Sequence, residues 1–139
     1  MNKIKIEDAV FCEDARQEMS GKYTLLGVGG SELNISEIPA FISIAILIYG
    51  TAFMEGQFEA EMRALDVDKN ILVKADLEGK IDRSKRFILL LGPMPLQIKK
   101  AGNYTFEWRS GTKKWNKIAT LRLNYLPPSD AIKNASPSA

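Results

Sequence analysis

A stretch of aromatic and basic side chains between residues 99 and 117 is well suited to bind an anion, because such strands can contact phosphates and stack bases. The candidate interaction surface consists of six cations: Lys99, Lys100, Arg109, Lys113, Lys114 and Lys117. The alternation of apolar and polar residues argues against base stacking by Trp108, because this side chain shares a strand face with Phe106. Trp115 is an even number of positions from Leu121 and would share its strand face, so we expect both indole rings in the core or at its rim. The lysines then form an exposed hairpin tip, and nucleic-acid binding is the alternative.

The residues that usually carry out catalysis are scarce in this chain, which contains no histidine and one cysteine. Without histidine, the commonest general base and metal ligand are missing, together with every Ser-His or Cys-His nucleophile pair. A zinc site needs clustered Cys and His, and Cys12 alone cannot build one. The sequence therefore predicts a protein that is not an enzyme and has no catalytic, cofactor or metal site.

Acidic residues in Asp66-Val67-Asp68-Lys69-Asn70 have the spacing at which a calcium-binding helix-loop-helix loop begins. The sixth and twelfth positions of that loop are Ile71 and Leu77, where the motif requires glycine and glutamate. Calcium could instead be held at one end of a β domain, as in C2 domains, by Asp66, Asp68, Asp76 and Asp82. We favour the simpler interpretation that these aspartates form turns.

Two short motifs have simple explanations. In Gly27-Val28-Gly29-Gly30 the third glycine of a dinucleotide-binding loop would fall at Glu32, so the glycines are expected to serve positive φ angles. Cys12 is followed by Glu13 and Asp14, whose charges raise a thiol pKa. We therefore expect Cys12 to be a small buried residue without chemical reactivity.

Apolar and polar residues alternate with a period of two along most of the chain, as in residues 57–65 and 103–109. This pattern is typical of half-buried strands, and no helical spacing competes with it. The fold class predicted is all-β, an antiparallel two-sheet β-sandwich of immunoglobulin-like or C2-like type with about eight strands; an open barrel is the alternative. The strands predicted are Ile4–Cys12, Lys22–Val28, Ile38–Tyr49, Gln57–Leu65, Ile71–Leu77, Arg86–Leu91, Asn103–Arg109 and Lys117–Tyr125, with a short edge strand at Leu96 and Ile98. Three pairs of consecutive strands are expected to form hairpins: 4–12 with 22–28, 57–65 with 71–77, and 103–109 with 117–125.

The run Ile38–Tyr49 is much shorter than the roughly 20 residues that span a bilayer, so we expect no membrane span. Its β-branched residues predict a central strand covered on both faces, with an exposed interaction edge as the alternative. One domain is expected over residues 1–126, followed by a disordered tail over 127–139. A single cysteine and the absence of a signal peptide predict a cytoplasmic location.

Charge is unevenly distributed along the chain, although the formal net charge is only +2. Residues 1–69 contain 6 Lys and Arg against 12 Asp and Glu, whereas residues 70–139 contain 13 against 5. Opposite charges either face each other across strand pairs or form complementary surfaces for a partner. The leading hypothesis is a non-enzymatic interaction or assembly module that binds a protein partner or itself. The alternatives are nucleic-acid binding through residues 99–117 and calcium-dependent binding to anionic membranes.

A resemblance to a known family rests on Cys12-Glu13-Asp14-x-Arg16-x-Glu18, on Gly21-Lys22-x-x-Leu25-x-Gly27-Val28, and on Ile38-Pro39. These residues resemble the start of a family of small bacterial or phage-borne proteins classed as a domain of unknown function. Members also tend to end with a Gly-x-Tyr strand, matched by Gly102-Asn103-Tyr104. The resemblance implies a cytoplasmic β domain and assigns no site.

Overall fold

Ten β-strands make up most of the part of the chain that the computed structural model describes, which is residues 4–20, 22–27, 29–53, 55–81, 85–111 and 113–127. No helix occurs in these ranges, so the all-β prediction is confirmed. The strands are β1 (Ile4–Cys12), β2 (Asp14–Gln17), β3 (Tyr23–Leu26), β4 (Glu32–Ile35), β5 (Ala40–Ala52), β6 (Gly56–Leu65), β7 (Ile71–Ile81), β8 (Lys85–Ile98), β9 (Gly102–Ser110) and β10 (Asn116–Tyr125). The tail predicted after residue 127 lies outside the described residues.

The strands form three sheets, ordered β1-β5-β8, β4-β10-β9-β6-β7 and β2-β3. All paired neighbours are antiparallel except β4 and β10, which are parallel. This arrangement differs from the eight or so strands in two sheets that were predicted. The additional strands β2 and β4 are only four residues long, which is too short for their residue pattern to identify a strand from sequence.

Two of the three predicted hairpins are confirmed, β6 with β7 and β9 with β10. The first predicted hairpin is wrong, because β1 pairs with β5 and β3 pairs with β2. In the observed pairing, Phe11 lies opposite Ile46 and Ala9 lies opposite Ile48. This register places apolar residues of both strands on one face, which the four-residue β3 is too short to offer.

Strand β8 runs without interruption past Gly92-Pro93, where we expected it to stop. It is an edge strand, so Pro93 and Pro95 need no hydrogen-bonded neighbour on its outer side. The register shifts opposite Ala45, and Gly92 adopts a φ of +94° at this irregularity. A bulge at the sheet edge therefore joins the two apolar runs that we predicted as separate strands.

The core lies between the three-stranded and five-stranded sheets. Ile46 and Ile48 of β5 face inward, as do Tyr104 and Phe106 of β9. The ring centroids of Phe11 and Phe106 lie 5.3 Å apart, so aromatic contact joins the two sheets. Strand β5 is central in its sheet, as predicted.

The outer face of the three-stranded sheet is only partly covered. Strand β2 contacts β5 and β8, and Ala45 and Leu47 are buried on this side. Beyond that region, Phe41 is 76% exposed and Tyr49 is 37% exposed. The prediction that β5 is covered on both faces is therefore correct at its middle and wrong towards its ends.

Candidate functional site

The six cations of the predicted interaction surface lie near the two ends of β9. Lys99 and Lys100 precede this strand, whereas Lys113 and Lys114 follow it. A nine-residue strand is about 30 Å long at roughly 3.3 Å per residue. Arg109 and Lys117 are near the second end, so the structure brings together four of the six cations and leaves the other two apart.

Trp115 lies on the outer face of the five-stranded sheet and not on the face of Leu121. The register of β10 shifts between Lys117 and Ala119, which inserts one extra residue and reverses the alternation. The parity argument for Trp115 was therefore wrong, because a bulge lies between this residue and Leu121. Trp108 lies before any such shift and is only 6% exposed, as predicted for a core residue.

Two arginine side chains pack against the Trp115 ring. The guanidinium carbon of Arg63 is 4.0 Å from the ring centroid, and that of Arg109 is 4.4 Å from it. Both distances are within the range of cation-π attraction. Arg109 is therefore already held by a neighbouring ring, which reduces its availability to an external anion.

Carboxylates complete this cluster on the outer face. Arg109 donates two hydrogen bonds to Glu61, at 3.0 and 3.2 Å, and Lys74 lies 3.4 Å from the same carboxylate. Arg63 donates to Glu107 at 2.8 Å. Desolvation raises the pKa of Glu61, but the hydrogen bond and charge of Arg109 and the charge of Lys74 outweigh it, so the pKa lies below its ordinary value of 4.5.

The uneven charge of the chain is partly neutralised within the fold. Each of the four ion pairs found among the described residues joins a residue of 1–69 to a residue of 70–139. Three of them pair an acid of the first half with a base of the second: Glu61 with Lys74, Asp68 with Lys100, and Glu61 with Arg109. The charge difference therefore has an internal explanation, and complementary surfaces are not required to account for it.

The aspartates of the β6–β7 connection form a turn, as we favoured. The Asp66 carboxylate accepts hydrogen bonds from the backbone N–H groups of Asp68 and Asn70, both at 2.8 Å. Desolvation raises the pKa of Asp66, but these bonds, the Asn70 side chain and the charge of Lys100 lower it below its ordinary value of 3.8. The Asp68 carboxylate instead pairs with Lys100 at 2.9 Å, which raises the pKa of Lys100.

The calcium alternative gains no structural support in the ranges that are described. Asp76 lies within β7, away from the turn, and Asp82 lies outside the described residues. No group of three or more potential metal-ligating side chains occurs in the described part of the chain. Asp66 and Asp68 are instead occupied by their hydrogen bonds within the turn and with Lys100.

Cys12 is buried as predicted, whereas Gly27 alone among the three glycines of the glycine-rich loop adopts the positive φ that we expected of them. Cys12 is 2% exposed, and burial together with the charge of Asp14 raises its thiol pKa. Gly27 adopts a φ of +63°, and a Cβ atom there would lie 2.6 Å from Glu13. Gly29 donates its backbone N–H to the Phe11 carbonyl at 3.1 Å. Val28 lies outside the described residues.

An apolar patch lies on the outer face of the three-stranded sheet, beside the part covered by β2. We call Val10, Tyr49, Ile88 and Leu90 the outer patch. Tyr49 lies directly opposite Ile88, and Val10 and Leu90 flank Leu47 in the adjacent row. Tyr49 is 37% exposed and Ile88 is 47% exposed, whereas Val10 and Leu90 are half-buried. Clustered apolar exposure of this kind is typical of an interaction surface.

A partly enclosed cavity of about 220 Å³ lies between the two large sheets. It occurs where Ala52 of β5 and Ala60 of β6 approach from opposite sheets, in a satellite cluster with Ile4 and Trp108.

Similarity to known proteins is found at the level of a family. The profile of a family of unknown function, DUF6941, matches residues 7–119. The chain belongs to DUF6941. The expected classification is thereby confirmed, whereas the short motif on which we based it and a bacterial or phage origin stay predictions. No curated protein matches this DUF6941 member significantly.

One solved structure, described as "Crystal structure of the C-terminal domain of wzt", is similar to this DUF6941 member at 11% identity and a TM-score of 0.49. The alignment covers 89% of this chain and 75% of that chain. This similarity is too low to carry an argument about function. The described residues contain no helix whose length and hydropathy would allow it to cross a membrane.

Two features of this DUF6941 member were not predicted from its sequence, the outer patch and the cavity. A signal for the first was present in Arg86–Leu91, because five consecutive apolar residues place apolar groups on both faces of an edge strand. The only feature of the sequence that indicates the cavity is the small size of the Ala52 and Ala60 side chains. Neither alanine stands out in a sequence, because the space around it depends on the facing sheet.

Proposed function

We propose that this chain is a non-enzymatic assembly module that associates with a second copy of itself through the outer patch. The observation that supports this proposal most directly is the exposed pair Tyr49 and Ile88, which lie opposite each other on the outer face of the three-stranded sheet. Aromatic and aliphatic side chains at such positions commonly become the buried centre of an interface.

Charges beside the outer patch favour a second copy over an unrelated partner. Asp8 lies in the row of Tyr49, and Lys5 lies two positions along β5 in the row of Thr51. An acid and a base thus lie side by side at the rim of the outer patch, which makes the charge of this rim complementary to that of a second copy. Two-fold interfaces require such self-complementarity, with each residue meeting its counterpart in both directions.

Nucleic-acid binding is the competing proposal. It is supported by Lys113, Lys114 and Lys117, which are exposed at one end of β9. The contacts of Arg109 with Glu61 and Trp115 weigh against it, as does the distance of Lys99 and Lys100 from this end.

Finer assignments are part of the same proposal. We propose that the two large sheets belong to a sandwich of the immunoglobulin-like or C2-like type. The single cysteine, which is buried and unpaired, supports a reducing cytoplasmic location. The family resemblance supports a bacterial or phage-borne origin.

The test is the molar mass in solution, measured by light scattering after size exclusion at low and high salt. We expect a dimer that weakens moderately as salt increases, because apolar contacts persist while the charges at the rim are screened. Tyr49→Glu places a charge at the centre of the outer patch and should shift the protein to a monomer. The double variant Lys113→Glu, Lys114→Glu is the matched control, because it changes the charge of a distant turn and should remain a dimer.

Three results would argue against self-association. A wild-type protein that is monomeric at all concentrations removes it, as does a Tyr49→Glu variant that remains dimeric. If the wild type gains mass only with added mixed-sequence nucleic acid, and the double lysine variant loses this gain, the competing proposal is supported instead.

A further inference from the structure

We propose that the cavity between the two large sheets binds a small, neutral, mostly apolar molecule that offers one hydrogen-bond acceptor. This site is separate from the proposed assembly function, because it lies on the core side of the three-stranded sheet. Ile88 alone belongs to both, since it is part of edge strand β8 and also borders the cavity.

The lining of the cavity determines the polarity of the ligand. All thirteen residues that surround it are apolar or aromatic, and they come from strands of both large sheets. None of the described lining residues carries a charge, so an ionic ligand would lose its hydration without compensation. Water is also a poor occupant, because it needs two to four polar partners to be held stably.

Trp108 determines where the acceptor would bind. It supplies the only side-chain hydrogen-bond donor of the described lining, the indole N–H, and no described residue accepts a hydrogen bond from it. No buried side-chain nitrogen or oxygen of the described residues lacks a partner, so this unpaired N–H is accessible and is not sealed in the core. A carbonyl or ether oxygen of a ligand in the cavity would therefore accept a hydrogen bond from it.

The volume determines the size of the ligand. An apolar cavity of about 150 Å³ can bind benzene, and this cavity is larger, at about 220 Å³. A substituted single aromatic ring, or a short branched aliphatic molecule of similar bulk, therefore fits. Acetophenone meets all three requirements, and α-methylstyrene has the same shape but lacks the acceptor oxygen.

The experiment follows the indole N–H signals of ¹⁵N-labelled protein by NMR while either probe is added. The chain has two tryptophans, and Trp115→Phe assigns the two signals. We expect acetophenone to shift the Trp108 signal saturably and to leave the Trp115 signal, on the opposite face of the five-stranded sheet, unchanged. We expect α-methylstyrene to bind about threefold to tenfold more weakly, because it cannot accept the hydrogen bond.

A cavity-filling variant tests the location. Ala60→Leu should occupy the space, keep the fold, and weaken acetophenone binding more than tenfold. Ala52→Val fills the same space from the opposite sheet and serves if Ala60→Leu fails to fold. Ala15→Val in the small β2–β3 sheet is the control, since it adds bulk away from the cavity and should bind acetophenone normally.

Several results would overturn the proposal. The first is the absence of a saturable Trp108 shift with either probe up to its solubility limit. Unchanged binding in a folded cavity-filling variant would place the ligand elsewhere. If neither filling variant folds, the protein's own packing needs the space. Equal affinity for the two probes would remove the role of the Trp108 donor.

Discussion

The guanidinium carbon of Arg109 lies 4.4 Å from the centroid of the Trp115 ring, on the face of the five-stranded sheet that points away from the core. The same guanidinium donates to Glu61, so the ring, the cation and the carboxylate form one cluster. An aromatic residue that the sequence suggests for a partner is thus used within the fold.

Trp115→Ala should lower the free energy of unfolding by about 1 kcal/mol, because cation-π contacts at partly exposed sites are worth roughly 0.5–1 kcal/mol each. Urea unfolding of Trp115→Ala, Arg109→Ala and the double variant measures this energy. A coupling of about 0.5 kcal/mol or more is expected. Additive losses would show that ring and cation contribute independently.

Asp66→Ala should destabilise the protein by about 1 kcal/mol at pH 7, because two backbone N–H groups of the β6–β7 turn lose their acceptor. The pKa of Asp66 is lowered in the folded state, so its contribution is complete above the ordinary value of 3.8 and is lost as the pH falls through the folded pKa. Urea unfolding at neutral and strongly acidic pH should therefore show a difference between wild type and variant that shrinks in acid. Asp76→Ala, in the neighbouring strand, is the control and should lack this loss.

Cys12 should react with iodoacetamide on the order of 100-fold more slowly in the folded protein than in urea, because the thiol is buried. The raised pKa of Cys12 also makes the stability of the fold depend on pH in alkali, because the folded state favours the neutral thiol. The stability that this preference provides is constant below the unfolded pKa and is lost as the pH rises through the folded pKa. Alkylation followed by mass spectrometry measures the protection. Equal rates in the two states would contradict the burial of the thiol.

Phe106→Ala should cost about 3–5 kcal/mol, because the ring is fully buried and contacts Phe11 across the core. Phe41→Ala is the matched control, since this ring is exposed and its removal should change stability by less than about 0.5 kcal/mol. Thermal and urea unfolding of both variants give the comparison. Similar losses would mean that Phe41 is covered in solution, which would also bear on self-association.

Local pattern was sufficient for much of the fold. Alternation alone predicted the β class and the approximate positions of most strands. Turn composition predicted the hairpin around Asp66. The alternation of residues predicted that Trp108 lies in the core, and the acids next to Cys12 favoured a buried thiol over a reactive one. These features depend on residues that are close in sequence, where the period of two and the hydrogen-bonding habits of each side chain act directly.

The sequence by itself therefore determined where most of the longer strands lie and which side chains share a face within an uninterrupted strand. The tertiary structure decided that β1 pairs with β5, that a bulge turns Trp115 outward, and that Tyr49 stays exposed while Leu47 is covered. The physical reason is that pairing, bulges and coverage depend on which distant strand or layer lies alongside. The alternation within a single strand is the same whether that neighbour is present or absent.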